Sequence, residues 1–344
     1  MGQGENHTRA RLEKIKEIVR GKRKVLIVTH NNPDPDALAS AMTLKYILHE
    51  KWNVGSIIAY GGIIARAENK AMIRHLRMDI RPIQEVNIGN FSVVALVDSQ
   101  PGAGNNALPR YLLPDIVIDH HSPIRARSMR AKYYDIRTDY GSTSTILAEY
   151  LMASDIPDIS KKVATALVYG IKSDTRDLGR ATSQQDVAAF QFLYPSILFK
   201  VLSKIEHPEL PRSYFNNLGK ALAGAQIQKD VIILNLKHAD DVDMVAAMAD
   251  LLLLVEGVKW SLCLGENEGN VYFSLRTKKK RGSADRVAQK MVAGIGVGGG
   301  HNMVAGGKAG AIANLDKTPE EVEELLIARF LAEVKRKDFK GQSL

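Results

Sequence analysis

The sequence predicts an α/β protein in two parts. Residues 1–200 form a mostly parallel sheet with helices on both faces, 201–215 a linker, and 216–344 a smaller α/β domain. Three observations predict this. Short β-branched runs alternate with helical patterns through the first half, the signature of βαβ units. The runs end in clusters of Asp and His, and sites of open α/β sheets form at the carboxyl ends of strands. Finally, Pro195, Pro208 and Pro211 lie within a mixed polar stretch that separates two independently patterned halves.

Residues 9–22 place Leu12, Ile15, Ile18 and Val19 on one face of a helix. Val25–Val28 follows as a core strand and ends in His30-Asn31-Asn32-Pro33-Asp34-Pro35-Asp36. The two prolines keep that stretch out of both helix and strand. A helix then spans Ala37–Trp52. Strands over Val54–Tyr60, Phe91–Val97 and Asp115–Ile118 come next, with a helical pattern to His75 between the first two. Helices are expected over Ser142–Ala153, Ser160–Ile171 and Gln184–Leu193, with Asp174 in the break after Ile171. The second half opens with a helix and a strand (Val231–Leu236), then a helix (Asp241–Leu254), two strands (Lys259–Leu264, Val271–Thr277) and a helix (Ala284–Val292). A glycine-rich turn leads to His301, where a helix could start, and helix Pro319–Arg336 closes the chain.

At 344 residues, 45% hydrophobic and 25% charged, the chain has the composition of a soluble globular protein. Cys263 is its one cysteine, which excludes an internal disulfide framework and fits a reducing cytoplasm. The N-terminus has no signal-peptide pattern, and no apolar run approaches a membrane span, so a cytoplasmic protein with no membrane partner is expected. The net charge of +9 favours polyanionic partners such as nucleotides or nucleic acid. With 6% aromatic residues and no aromatic-interleaved basic stripe, a stacking platform for long single strands is not indicated.

Four polar clusters terminate apolar runs: His30/Asp34/Asp36, Asp98 after Val93–Val97, Asp119-His120-His121 after Ile116–Ile118, and Asp174. In a parallel sheet they converge on one edge, as in a two-metal hydrolase that clamps both oxygens of an in-line displacement. His30, Asp34 and Asp98 can hold one ion. Asp36, Asp98, His120 and Asp174 can hold the other, with Asp98 bridging. Asp34, Asp36, Asp98 and Asp174 would neutralise two divalent cations. A mixed carboxylate and imidazole set without thiolate suits Mn²⁺ or Mg²⁺, with Co²⁺ able to substitute. Asp119 orients a neighbouring histidine. The negative charge of a phosphodiester falls to His121, Arg276 and His301, and Gly298, Gly299 and Gly300 let backbone amides approach an anion. The run from Gly294 to Gly299 satisfies GxGxxG, but it follows a helix and not a strand, so a dinucleotide fingerprint is rejected.

The stretches THNNPDPDA (Thr29–Ala37), LVDSQ (Leu96–Gln100), IDHHSP (Ile118–Pro123), KSDT (Lys172–Thr175) and GGGHNMVAGG (Gly298–Gly307) resemble, in order, the DHH phosphoesterase superfamily with its associated C-terminal domain. The resemblance covers nearly the whole chain and is nearest to the stand-alone nanoRNase and phosphoadenosine-phosphate phosphatase group. It implies a catalytic domain holding two manganese ions in the ligand sets above, with His121 near the scissile phosphate. It also implies Arg276 and His301 as substrate-phosphate grips on a smaller domain, and a homodimer. Two positions depart from the pattern. Arg176 stands after Thr175 where glycine is usual, and Met303-Val304 replace two small residues after His301. Arg176 and Arg180 add positive charge beside the candidate ligands.

The expected activity is Mn²⁺-dependent hydrolysis of short RNA or DNA oligonucleotides or dinucleotides to mononucleotides, with Asp98, Asp119 and His121 as catalytic groups. The alternatives are a cyclic-dinucleotide phosphodiesterase, a phosphoadenosine-phosphate phosphatase, a processive RecJ-like exonuclease and, in another class, a nucleic-acid-binding protein without turnover. The complete ligand set argues against the last.

Overall fold

Val25–Val28 is apolar and β-branched. In the computed structural model it forms, with Lys24, the strand β1 (Lys24–Val28), whose four apolar residues are fully buried. Burial on both faces marks the centre of a parallel sheet. On one side β1 pairs with β2 (Gly55–Tyr60), and β2 with β3 (Ile80–Pro82). On the other it pairs with β4 (Val93–Val97), followed by β5 (Ile116–Asp119) and β6 (Tyr133–Ile136). The order is β3-β2-β1-β4-β5-β6 and every pairing is parallel. The chain therefore reverses its direction of travel between β1 and β4, and at such a reversal the loops leaving two adjacent strands part to open a crevice. The structure describes residues 3–344 except 23, 65, 211, 240–241, 280–282, 302, 311–316 and 337; for 3–6, 213, 217, 220–221, 243 and 301 the backbone alone is described.

Helices α1 (Gln3–Val19), α2 (Pro35–Trp52), α3 (Ala67–Leu76), α4 (Thr143–Met152), α5 (Lys161–Thr175), α6 (Gln184–Leu193) and α7 (Phe199–Glu206) belong to the same unit as this sheet. Successive strand residues point to opposite faces. Val25 and Ile27 join one core with Leu38, Leu44 and Ile47 of α2 and with residues of all the other helices of this half. Each such apolar side chain contributes ~1.5–3 kcal/mol on burial. Leu26, Val28, Val94 and Leu96 face the other way, against Ile83, Val86, Ile88, Phe91, Ala107, Leu108 and Leu112. That second face is covered by 3₁₀ turns and loop, which corrects the expectation of helices on both faces. Right-handed crossovers from β4 to β5 and from β5 to β6 would lay helices there, but neither connection contains an α-helix.

The chain divides into two compact units, Met1–Glu209 and Leu210–Leu344. Residues 201–215, read from the sequence as linker, carry most of α7 and the start of α8 (Arg212–Gly224). The second unit continues through β7 (Gln226–Gln228), β8 (Val231–His238), α9 (Asp243–Leu252), β9 (Trp260–Asn267) and β10 (Asn270–Thr277). It closes with α10 (Ala284–Met291), β11 (Gly296–His301), β12 (Val304–Gly310), α11 (Pro319–Glu333) and β13 (Gln342–Ser343). Its mixed sheet runs β11-β12-β10-β9-β8-β7-β13, with β8 and β9 parallel and the other neighbours antiparallel. Trp260, Leu262 and Leu264 of β9 pack with α10 and α11, and Cys263 with α9, so here helices do cover both faces.

Two expectations about local structure change. Asp174 lies inside the last turn of α5, which runs on to Thr175, and not in a break after Ile171. Gly296–His301 is a strand, not a turn, and His301 ends it instead of starting a helix. The paired stretch of β12 is itself glycine-rich (Gly298 faces Gly307, Gly299 faces Gly306), so neither strand shows the side-chain alternation by which strands are recognised.

Candidate metal centre

Asp34 is the N-cap of α2, accepting from the Ala37 amide at 3.0 Å, with Pro35 at the first helical position. That cap sets Asp36 in the first turn, fully buried. Asp98 leaves β4 with a left-handed backbone (φ 56°), a conformation an aspartate tolerates but does not prefer. Asp119 is the last residue of β5, so His120 and His121 stand at the same edge. These groups come from the two loops at the reversal of strand order and from the adjacent β5, and α5 adds Asp174.

The side chains meet. His30 Nε2 lies 3.4 Å from Asp98 Oδ2 and 3.5 Å from Asp34 Oδ1. His120 Nε2 lies 3.2 Å from Asp174 Oδ2, 3.8 Å from Asp98 Oδ1 and 3.9 Å from Asp36 Oδ2. His121 Nδ1 is 3.7 Å from Asp98 Oδ1. Three triads thus have ligand atoms within 4.8 Å of one another: His30/Asp34/Asp98, Asp98/His120/His121 and Asp36/His120/Asp174. Asp98 and His120 each belong to two of them. All of the first unit's candidate residues are in this one cluster.

The groups behind the cluster fix its orientation. Asp36 accepts from the amides of Thr143 and Ser144, each at 2.7 Å, so its carboxylate sits on the N-terminus of α4, where free N–H groups and the helix dipole favour an anion. The Thr143 hydroxyl donates to Asp98 Oδ1 at 2.8 Å. His30 Nδ1 donates to the Asn31 carbonyl and His120 Nδ1 to the Tyr140 carbonyl, which turns both Nε2 atoms to the carboxylates. Asp119 accepts from His121 Nδ1 at 2.8 Å and is itself held by Gln100 Nε2 at 2.8 Å. The buried Asp186 accepts from the Gly141 amide and the Thr145 hydroxyl, bracing the turn that starts α4.

The electrostatics of the cluster suit a cation. Burial works against a charged His30, yet the carboxylates of Asp34 and Asp98 hold its pKa well above the ordinary imidazole value. His120 is likewise raised against its burial, by Asp174, Asp98 and Asp36. Burial pushes the pKa of Asp36 well up, reinforced by the charges of Asp98 and Asp174. Asp98 is held low despite burial by the surrounding histidines. Crowded carboxylates that draw protons onto imidazoles favour positive charge among them, which a divalent cation could also supply. The donor set passes a direct test as well. Asp98 Oδ2 and His120 Nε2 are buried without a hydrogen-bond partner, and a buried polar atom is normally satisfied.

The remaining candidates lie in the second unit. Arg276 is buried in β10, donating Nε and Nη2 to Asp250 (2.6 and 3.3 Å) and Nη1 to Ser274 and two backbone carbonyls. Arg276 and His301 both pair with Val304, so they share one row across β10, β12 and β11. The side chain of His301 lies outside the described residues. A Cβ on Gly300 would come 2.2 Å from the Val304 carbonyl, so close strand approach requires glycine there. Sequence reasoning missed Gln100, Thr143, Ser144 and Asp186. Thr143 and Ser144 stand in the hydroxyl-rich run Ser142-Thr143-Ser144-Thr145 at the start of α4, but that run by itself does not show which distant residues it meets.

A carboxylate and imidazole cluster where the strand order of a parallel sheet reverses defines a class of α/β proteins whose strand ends could hold divalent cations. Sequence comparison gives the family. The DHH family N-terminal domain matches residues 24–171 and the DHHA1 domain residues 228–328, and the chain belongs to the DHH phosphoesterase family. An uncharacterized protein of Methanocaldococcus jannaschii is 36% identical over 328 residues, covering 93% of this chain and 66% of that protein. A second from the same organism is 26% identical, covering 91% of this chain and 96% of its own length. The chain thus spans about two thirds of the first relative. An exopolyphosphatase-related protein from Bacteroides fragilis has the same fold (TM-score 0.73, 17% identity, 95% of this chain and 98% of that one). RecJ of Thermus thermophilus in complex with Mn²⁺ is similar over 98% of this chain and 55% of its own (TM-score 0.51, 14% identity). No described helix is long and apolar enough to cross a membrane.

Proposed function

We propose that the chain is a manganese-dependent phosphodiesterase that hydrolyses short oligonucleotides or dinucleotides to mononucleotides. The observation that carries this reading is the convergence on Asp98 and His120, whose unpartnered buried atoms lie between further carboxylates and imidazoles. His30, Asp34 and Asp98 would hold one divalent ion, and Asp36, Asp98, His120 and Asp174 the other. Ions bound there would supply Lewis-acid polarisation of the phosphoryl group and acidify water for in-line attack. Manganese is the ion named in two similar RecJ structures.

The chain's own groups do the rest. Asp119, held by Gln100, fixes the His121 ring through Nδ1. His121 then stabilises charge gathering on the phosphoryl oxygens. Thr143 and the amides of α4 hold Asp98 and Asp36 in place against the pull of a cation. In the second unit Arg276, His301 and the amides of Gly298, Gly299 and Gly300 are assigned to a non-scissile phosphate. Arg276 would serve by exchanging the Asp250 carboxylate for a phosphate, which offers the same two-oxygen geometry.

The test is incubation with Mn²⁺ and a panel: an RNA dinucleotide, RNA and DNA oligomers of rising length, phosphoadenosine phosphate and cyclic di-adenylate, with EDTA and Asp98→Ala as controls. Fastest release of mononucleotides from the shortest substrates, lost in both controls, is expected. Near-wild-type turnover by Asp98→Ala would end this reading.

A further inference from the structure

The segment after β6 carries a buried ionic network that the chemistry above does not use. Arg137, the first residue past β6, is 8% exposed, and its guanidinium grips both oxygens of the buried Asp135 with Nε (3.0 and 3.1 Å) and Nη2 (2.8 Å). Nη1 turns the other way, to the Tyr140 hydroxyl at 3.0 Å and to Glu149 of α4. The Tyr140 hydroxyl donates in turn to Glu149 at 2.8 Å, and the guanidinium lies over the Tyr140 ring, 4.9 Å from its centre. Tyr150 donates to Asp135 at 2.7 Å, and Arg11 of α1 stands 3.6 Å from the same oxygen. Burial works against the Arg137 charge, yet Asp135 and Glu149 raise its pKa above that of an ordinary arginine. Burial and Glu149 push the Tyr140 hydroxyl up to about 12, which keeps it a donor.

An ion network of this kind is a poor way to stabilise a fold, since apolar residues of the same volume often do as well, and its best-attested use is to fix a geometry. What it fixes here is a turn. Arg137 and Tyr140 are the first and last residues of a tight turn closed by Tyr140 N on the Arg137 carbonyl at 3.1 Å. Arg137 N donates to the Asp119 carbonyl at 3.0 Å, so the turn begins beside the strand end that carries His120. It finishes at the Tyr140 carbonyl, which accepts from His120 Nδ1 at 3.2 Å. The side chains of Arg137 and Tyr140 therefore clamp the carbonyl that sets the His120 ring.

Resting on the metal reading above, we propose that Arg137, acting through Tyr140, is a positioning residue for His120. The clamped turn holds the Tyr140 carbonyl on Nδ1, so that Nε2 is already aimed between Asp36, Asp98 and Asp174 when an ion binds.

The test reads ion binding, apart from turnover. Manganese is titrated calorimetrically into the metal-free full chain. Tyr140→Phe removes only the hydroxyl, and Arg137→Lys keeps the buried charge but not the fork that spans Asp135 and Tyr140. Each should weaken binding of one ion about 10-fold, the low end for loss of a group that orients a ligand, and the double variant should be no weaker than either alone. His120→Asn keeps a donor where Nδ1 stands and removes the ligand nitrogen. In that background the ion left to His30, Asp34 and Asp98 should respond to Tyr140→Phe by less than about twofold, the margin within which independent sites add. A general loosening of the fold would weaken that ion as well, and such a result would overturn the role. So would wild-type affinity in either single variant, or losses that add. If Arg137→Lys does not fold, Tyr140→Phe and its pairing with His120→Asn decide alone. Uptake of no manganese by the wild type would sink the metal reading and this role with it. Absence of turnover with these binding results intact would sink the phosphodiesterase reading and leave the positioning role standing.

Discussion

Asp174→Asn separates two roles a carboxylate can have, because they move stability in opposite directions. Asp174 sits in the last turn of α5, where backbone carbonyls already carry partial negative charge. Burial, with the charges of Asp34 and Asp98, raises its pKa, while His120 pulls the other way. An acid with a raised pKa in the fold binds its proton more tightly folded than unfolded. Stability is therefore lost as pH climbs from the ordinary carboxylate value through the raised one, and the penalty is in force above it. The amide removes that penalty. Its helix-terminus part alone is about 0.3–1 kcal/mol, or about 1–4 °C for a unit of this size. In EDTA the variant should melt above wild type by that amount. With saturating manganese the ranking should invert, because the oxygen 3.2 Å from His120 Nε2 loses its charge. Each tenfold loss of ion affinity removes about 1.4 kcal/mol of linked stabilisation, or about 3–6 °C. Scanning calorimetry at pH 7.5 with and without manganese reads both. A variant that melts below wild type in EDTA, or that keeps the whole manganese shift, would refute the reasoning.

Thr143→Val, close in shape, strips the hydroxyl from Asp98 Oδ1 and should cost ~1–3 kcal/mol in urea unfolding with weaker manganese binding, both restored by Thr143→Ser. Gly141→Ala puts a methyl group 2.6 Å from Thr175 Cγ2 and 2.7 Å from Asp186 Oδ2; overpacking of ~1–3 kcal/mol and a displaced α4 should show as a lower melting temperature and reduced turnover. Manganese must displace protons from His30 and His120, whose pKa values are raised, so apparent affinity should rise with pH through and above the usual imidazole range. Calorimetry in two buffers should find protons released on binding, and an affinity flat across that range would count against both histidines as ligands.

The strand ends were legible in the sequence because β-branched runs that stop near Asp or His carry their own boundaries, as at Val28 and Val97 and, one residue short of the observed end, at Ile118. Asp174 was placed in a break because Lys172-Ser173-Asp174-Thr175 reads as polar loop, but backbone hydrogen bonding carries α5 across it. The loop-covered face of the first sheet was not legible, since Val86, Phe91 and Leu112 cover it without any period a sequence displays. Nor was the paired glycine hairpin, where residues without side chains have no alternation to read. Thr143 and Asp186 were missed for another reason. Their importance lies in hydrogen bonds to residues 45 and 41 positions away, which no local pattern encodes.

The Asp36 carboxylate closes onto α4 across 107 residues of chain by hydrogen bonds to the protein alone. A cluster whose parts are braced in this way is assembled by folding, and any cation it takes would arrive afterwards, unlike small zinc domains that collapse around their metal. Loading is then decided by whichever cations the finished protein meets. Manganese is the weakest competitor of the first-row series and nickel one of the strongest. If the cluster takes divalent cations, a preparation passed over a nickel-charged affinity resin is expected to carry the column's metal, and it should be stripped and refilled before any manganese assay of the proposed activity.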